Sequence, residues 1–281
     1  MAAMRHRFCM VAPLVAVLAV MVAPPAAVPA AVDGPPAAVP AVMVAPPVAV
    51  PAAVDGPAAA GPSRQSPVRI GIGGAVPDRL APLRFEYATS TTVRLRYVRQ
   101  DAADPAGCRR RGDEETVRAE VPPGAGTLWV GDAPYALEQV HWHTPSEHVI
   151  QGRRYPVEQH LVHRGRDGRL LVVAVLVGDG LPHRELGTLL AAAPGECAPA
   201  VAMQAVDLTA LLPASTASYR YPGSLTTAPY TEGVSWVVLA RPLHAATADV
   251  APFLRLFPDG NARPVQPLDG RSVRTDRPAR R

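Results

Sequence analysis

The run LLVVAVLV, Leu170–Val177, constrains the fold more than any other stretch of this chain. It offers no polar face, so as a strand it has to be covered on both sides, which puts it inside a sheet and not at an edge. Other segments carry strand patterns too. Thr91–Val98 (TTVRLRYV) alternates, with Val93, Leu95 and Tyr97 on one face and arginines on the other. Thr127–Val130, Glu138–His143, Val157–His163 and Ser235–Leu239 follow it. Helical periodicity is weak, and is best at His183–Ala192 and Ala245–Phe257. A mainly β (α+β) single domain with a few short helices is the expectation.

The first 62 of the 281 residues stand apart from that domain. They hold 12 of the 33 prolines, are otherwise mostly Ala and Val, and contain one aromatic residue, Phe8, so they cannot build a packed core. Residues 1–31 read as a secretory signal peptide: a basic start (Arg5, His6, Arg7), an apolar stretch Phe8–Ala23, then small residues around Ala26–Ala31. Pro13, Pro24 and Pro25 interrupt the apolar stretch, which argues against a retained membrane anchor, since a span needs ~20 unbroken apolar residues. Secretion is therefore expected. A tandem duplication follows, with Val20–Pro35 repeated as Val42–Pro57 except for Ala26 against Val48. Neither copy can bury a face, so residues 32–62 are expected to be a semi-rigid linker. The domain is placed at 63–275 and a basic tail at 276–281.

All 28 cationic side chains are arginine and the net charge is +4. Arg109–Arg111 and the tail arginines read as solvated, so no nucleic-acid partner is expected. A membrane contact is expected only if the N-terminal segment is kept.

Histidines concentrate between His141 and His163, in HWHTPSEHVIQGRRYPVEQHLVH. On a strand His141 and His143 share one face while Val140 and Trp142 take the other. If Val157–His163 returns antiparallel after a turn at Gly152, Glu158, His160 and Val162 share a face and three imidazoles converge. Three histidines and one exchangeable position make a catalytic rather than a structural zinc site. His148 and His163 read as structural residues.

These motifs closely resemble the centre of the α-class carbonic anhydrases. Matches elsewhere keep that family's order: Gln65-Ser66-Pro67, then Tyr221 to Thr227 (YPGSLTT), Glu232 to Trp236 (EGVSW) and Arg263 to Leu268 (RPVQPL). The resemblance implies a large, mostly antiparallel twisted sheet and reversible hydration of carbon dioxide to bicarbonate. It implies Zn²⁺ on His141, His143 and His160, with Gln139 and Glu158 orienting His141 and His160. Thr226 would accept a hydrogen bond from zinc-bound hydroxide and donate one to Glu147. Val162, Val172, Leu225, Val234 and Trp236 would form the apolar wall for carbon dioxide, and Thr227 would line the same cavity.

The sequence departs from the family in several places. The family's usual proton-shuttle histidine is missing, because no histidine lies between Val11 and Val140. Asp113, Glu114 and Glu115 lie near that place, but carboxylates with reference pKa values near 4 relay protons poorly at pH 7. Slow, buffer-rescued proton transfer is expected. No aromatic residue occurs between Cys9 and Arg84, and Ala228 stands where the family has proline. Cys9 is expected to leave with the signal, and whether Cys108 and Cys197 pair is left open. A non-catalytic binding module of the same fold, or a zinc hydrolase of small esters, are the alternative functions.

Overall fold

The computed structural model describes residues 63–71, 73–99 and 115–276. The expected signal and linker, Cys9, Cys108, Asp113 and Glu114 lie outside the described residues, as does the tail from 277 onward.

The strands are β1 (Arg69–Ile70), β2 (Ala75–Pro77), β3 (Leu83–Tyr87), β4 (Thr91–Val98), β5 (Thr116–Glu120), β6 (Gly126–Val130), β7 (Ala133–His143), β8 (Val149–Ile150), β9 (Val157–Gly165), β10 (Leu170–Asp179), β11 (Val201–Val206), β12 (Ser218–Ser224), β13 (Glu232–Leu239), β14 (Leu243–Ala245) and β15 (Val273–Thr275). The helices are α1 (Arg184–Ala191) and α2 (Thr247–Leu256), with a 3-10 turn at Leu208–Leu211. A 13-stranded sheet runs in the order β11-β4-β5-β7-β9-β10-β13-β12-β15-β2, with β3, β6 and β14 attached at its sides. Its pairings are antiparallel except β10 with β13 and β14, and β15 with β2. A separate parallel pair joins β1 to β8.

The apolar run lies inside this sheet, as its composition demands, and supplies two cores at once. Leu171, Val173, Val175 and Val177 of β10 enter the cluster that α1 and α2 cover with Leu186, Leu189, Leu190, Val250 and Phe253. Val172, Ala174 and Leu176 enter the opposite cluster, with Val68, Ile70, Val162, Tyr219, Tyr221 and Trp236. Period-2 alternation therefore divides one strand between two hydrophobic layers. The histidine face belongs to the second layer, away from the helices.

The helix starts are tied together by one carboxylate. His183 Nδ1 accepts the Leu186 N–H at 3.2 Å and so caps α1. Asp249, in the first turn of α2, accepts the backbone N–H groups of Ala246 at 3.0 Å and of His183 at 2.7 Å.

Several strands exceed or escape the sequence expectation. Strand β7 begins at Ala133, five positions before the expected Glu138, because its start pairs with β6 while β9 pairs from Tyr135 onward and β5 from Gln139 to His141. Strands β11 and β12 carry no clean alternation, and β12 contains Pro222 and Gly223, while β3 and β5 do alternate but are only five residues each. Gly223 is required there: a Cβ would run into Ser66 Oγ and lie 2.7 Å from the Trp236 ring. The domain also reaches further than expected. Asp276, assigned to the tail by sequence, accepts the Ser218 N–H at 2.7 Å, next to the β12–β15 pairing.

His163 shows how the sheet uses a histidine structurally. It is fully buried; its Nδ1 donates to the Leu171 carbonyl at 3.3 Å and its Nε2 accepts from the Tyr87 hydroxyl at 2.5 Å. Burial lowers its pKa to about 4. The unfolded chain, with a value near 6.5, takes up a proton that the folded one refuses, so the stability is present above pH 6.5 and drains away as pH falls towards 4. About 3 kcal/mol is at stake. The expected result is that urea unfolding of the parent and of His163→Gln diverges with pH across this window, the parent losing more on acidification. A pH-independent difference would contradict it.

Candidate metal centre

Register builds this site. In the β7–β9 pairing His141 lies directly opposite His160, and His143 opposite Glu158. The three rings sit with centroids 5.0, 5.0 and 4.8 Å apart, and one nitrogen from each lies within 4.8 Å of the others.

Each ring has its outer nitrogen held by an acceptor, which settles the tautomer. His141 Nδ1 donates to Gln139 Oε1 at 2.8 Å, His143 Nδ1 to the Asn261 carbonyl at 3.0 Å, and His160 Nε2 to Glu158 Oε1 at 2.8 Å. The inner nitrogens, His141 Nε2, His143 Nε2 and His160 Nδ1, are then bare lone pairs. His143 Nε2 is buried with no partner, and His160 Nδ1 faces His141 Nε2 at 3.2 Å. Two lone pairs at that distance repel unless a cation lies between them. Two nitrogens bound at about 2.0–2.1 Å to a tetrahedral zinc ion would be about 3.3 Å apart. The donor set therefore fits zinc. Burial, followed by the neighbouring imidazoles, holds His141 well below the ordinary histidine pKa, and burial lowers His143 as well, which favours the neutral rings that metal ligation requires at these two positions.

Behind the rings lies a polar network with no exposure. Glu158 accepts from His160, from the His148 backbone N–H at 2.7 Å and from His148 Nδ1 at 2.6 Å. Burial opposes its ionisation, but His148 and the hydrogen bonds from His148 and His160 outweigh that and hold its pKa well below the carboxylate range. His148 Nε2 lies 2.6 Å from the Tyr221 hydroxyl, which lies 3.1 Å from Ser66 Oγ.

Two contributors escaped the sequence reading. Asn261 supplies its backbone carbonyl to His143, while its side chain binds the Thr144 N–H, the Glu115 carbonyl and the Trp142 carbonyl. Gly260 precedes it at φ +82°, where a Cβ would lie 2.7 Å from the Thr144 carbonyl oxygen. Arg263 is the other: its backbone N–H donates to Glu147 Oε1 at 2.9 Å.

A cavity of about 440 Å³ opens onto His141 and His160. Its apolar wall is made by Val162, Val172, Leu225 and Trp236, and Gln139, Thr226 and Thr227 also line it. Val234, expected on that wall, is elsewhere: it packs in the core beside Trp236 and lines an adjoining groove. Leu225, Leu170 and Arg164 border both hollows and so divide them. The expected hydrogen bond from Thr226 to Glu147 is not made either. Glu147 Oε2 is buried without a donor, because the backbone N–H of Arg263 serves the other oxygen. Glu115 faces away from the cavity: it is buried and accepts from the Tyr97 hydroxyl at 2.7 Å, since Thr116 and Arg118 take the cavity face of β5. Among the described residues, His141 and His160 are the cavity's histidines.

Cys197 is disulfide-bonded; both other cysteines of the chain lie outside the described residues. Among the described residues no helix is long and apolar enough to cross a membrane.

A family model described as eukaryotic-type carbonic anhydrase matches residues 54–277. A carbonic anhydrase of Klebsiella pneumoniae is 41% identical over 150 residues, covering 53% of this chain and 61% of that protein. One of Neisseria gonorrhoeae is 40% identical over 158 residues, covering 56% of this chain and 63% of that protein. The chain thus spans somewhat less than two thirds of the length of these curated relatives. The solved α-carbonic anhydrase of Thermovibrio ammonificans, in complex with the inhibitor sulfanilamide, superposes with a TM-score of 0.64 at 31% identity, covering 75% of this chain and 86% of that one.

Proposed function

The chain belongs to the eukaryotic-type carbonic anhydrase family, and on that premise we propose that it reversibly hydrates carbon dioxide to bicarbonate and a proton, with zinc held by His141, His143 and His160. The observation that carries this reading is the convergence of three imidazoles whose outer nitrogens are all pinned by acceptors, leaving their inner nitrogens facing one point. Zinc, when bound there, supplies the Lewis acidity that lowers the pKa of a water from 15.7 to about 7.

The chain's own residues do the rest. Gln139, the Asn261 carbonyl and Glu158 hold protons on the outer nitrogens, so the lone pairs of the inner ones face the metal position. Val162, Val172, Leu225 and Trp236 offer an uncharged, apolar surface to an uncharged, apolar substrate. Glu147 Oε2 is a buried acceptor without a donor, and Thr226 lines the cavity. Thr227 lines the same cavity.

Proton export is the weak step, because among the described residues the cavity's histidines are His141 and His160, both placed on the metal, and no further histidine lines it to relay a proton. The test is stopped-flow hydration of carbon dioxide by the zinc-loaded chain across an imidazole series at fixed pH. Turnover is expected to rise with buffer concentration and then level off. Fast turnover independent of imidazole would refute the buffer dependence, and an absence of hydration at every concentration would refute the function. Secretion belongs to the same reading; it is supported by the signal layout of residues 1–31 and by the disulfide at Cys197, a bond that persists in oxidising compartments.

A further inference from the structure

We propose that Arg118 makes the cavity wall beside His141 a binding subsite for a small carboxylate-type anion, with bicarbonate as its natural occupant. The choice of bicarbonate rests on the function proposed above; the subsite itself does not.

Strand β5 sends Val117 and Ala119 into the helix-side core and leaves Thr116 and Arg118 on the cavity. The β5–β7 register sets Arg118 directly opposite His141. The neighbouring arginines are engaged. Arg164 forks onto Glu138 at 2.6 and 3.0 Å, and Arg96 is paired with Glu120, the carboxylate nearest to Arg118 along its own strand. Arg99 lies 3.9 Å from Glu196 and donates to Cys197 Sγ at 3.7 Å. Arg118 makes no hydrogen bond or ion pair with any described residue, and its Nε is buried with no acceptor.

A guanidinium taken partly out of water without an acceptor has lost hydration and gained nothing internal. An acceptor arriving with a ligand restores it. Its planar fork matches a carboxylate edge, two parallel N–H groups to two oxygens. Across the cavity the wall is apolar, so a suitable ligand is small, with one anionic edge and little else polar. Bicarbonate has that shape. The cavity then treats the two carbon species differently: the apolar wall takes the neutral one, while Arg118 retains the charged one.

The test uses the zinc-loaded full chain and acetate as probe, its affinity read from broadening of the methyl signal in nuclear magnetic resonance. Arg118→Gln is expected to bind acetate about tenfold more weakly at unchanged zinc content, the loss of one charge-assisted pair in a partly solvated site. Arg118→Lys, which keeps the charge but not the fork, should fall between, and it answers the question if the glutamine variant does not fold. The Michaelis constant for bicarbonate in the dehydration direction should rise in parallel. Equal acetate affinity in parent and variants overturns the subsite, whether or not the chain hydrates carbon dioxide. Acetate binding that depends on Arg118 in a parent unable to hydrate carbon dioxide would uphold the subsite and remove only bicarbonate as its occupant.

Discussion

Replacing His143 by alanine is expected to abolish carbon dioxide hydration, lowering kcat/KM by at least about 10³-fold, with zinc content falling well below stoichiometric. His143 is only 1% exposed, as is His160, and its Nε2 has no partner within the protein. Removing it leaves two imidazoles, too few to hold a catalytic zinc tightly. The fold should survive, because the ring's one hydrogen bond goes to a backbone carbonyl, and the cost of leaving that acceptor unpaired is about 1–3 kcal/mol. Metal analysis and stopped-flow hydration, done side by side with the parent, check this. A variant that keeps full zinc and full rate would remove His143 from the metal site. Parent and variant equally inert would instead favour a non-catalytic binding module built on the same fold.

Glu158→Gln is the second large effect, and it reads the network behind the metal. One carboxylate accepts three N–H donors, two from His148 and one from His160, with no access to water. An amide of the same shape turns one acceptor oxygen into an NH₂ that faces a donor. Breaking a buried charged contact on one side only costs about 3–5 kcal/mol. It also frees the His160 ring to rotate or change tautomer, and loss of such a partner lowers metal affinity by about 10–100-fold. Urea unfolding and zinc competition against a chelator measure the two parts separately. If the variant matches the parent in both, Glu158 orients nothing.

Much of the architecture was legible because sheets report themselves through period 2. The run from Leu170 had to be covered on both faces, and it feeds two cores. The spacing of His141 and His143 put both on one face, and an antiparallel return was enough to bring His160 opposite. Local alternation and register suffice for such features, so a linear reading reaches them. The resemblance to a known family extended that reading to Gln139, Glu158 and the cavity wall, and it went too far at Val234 and at the Thr226–Glu147 hydrogen bond. Val234 sits behind Leu225 of the loop after β12, and Glu147 is met by the backbone of Arg263 in the segment after α2; side-chain identity encodes neither placement.

What only the folded chain decided are the contacts between distant segments. His143 finds its acceptor 118 residues away, and that acceptor is a main-chain carbonyl, a group every residue carries and no motif can announce. The same holds for the Arg263 N–H on Glu147. Arg118 was one arginine among many in a chain without lysine. Its meaning appears only when the neighbouring carboxylates are seen to be taken by other arginines. Residue type and alternation determine which face a side chain occupies; which groups remain without partners on that face is settled by packing across the whole sheet.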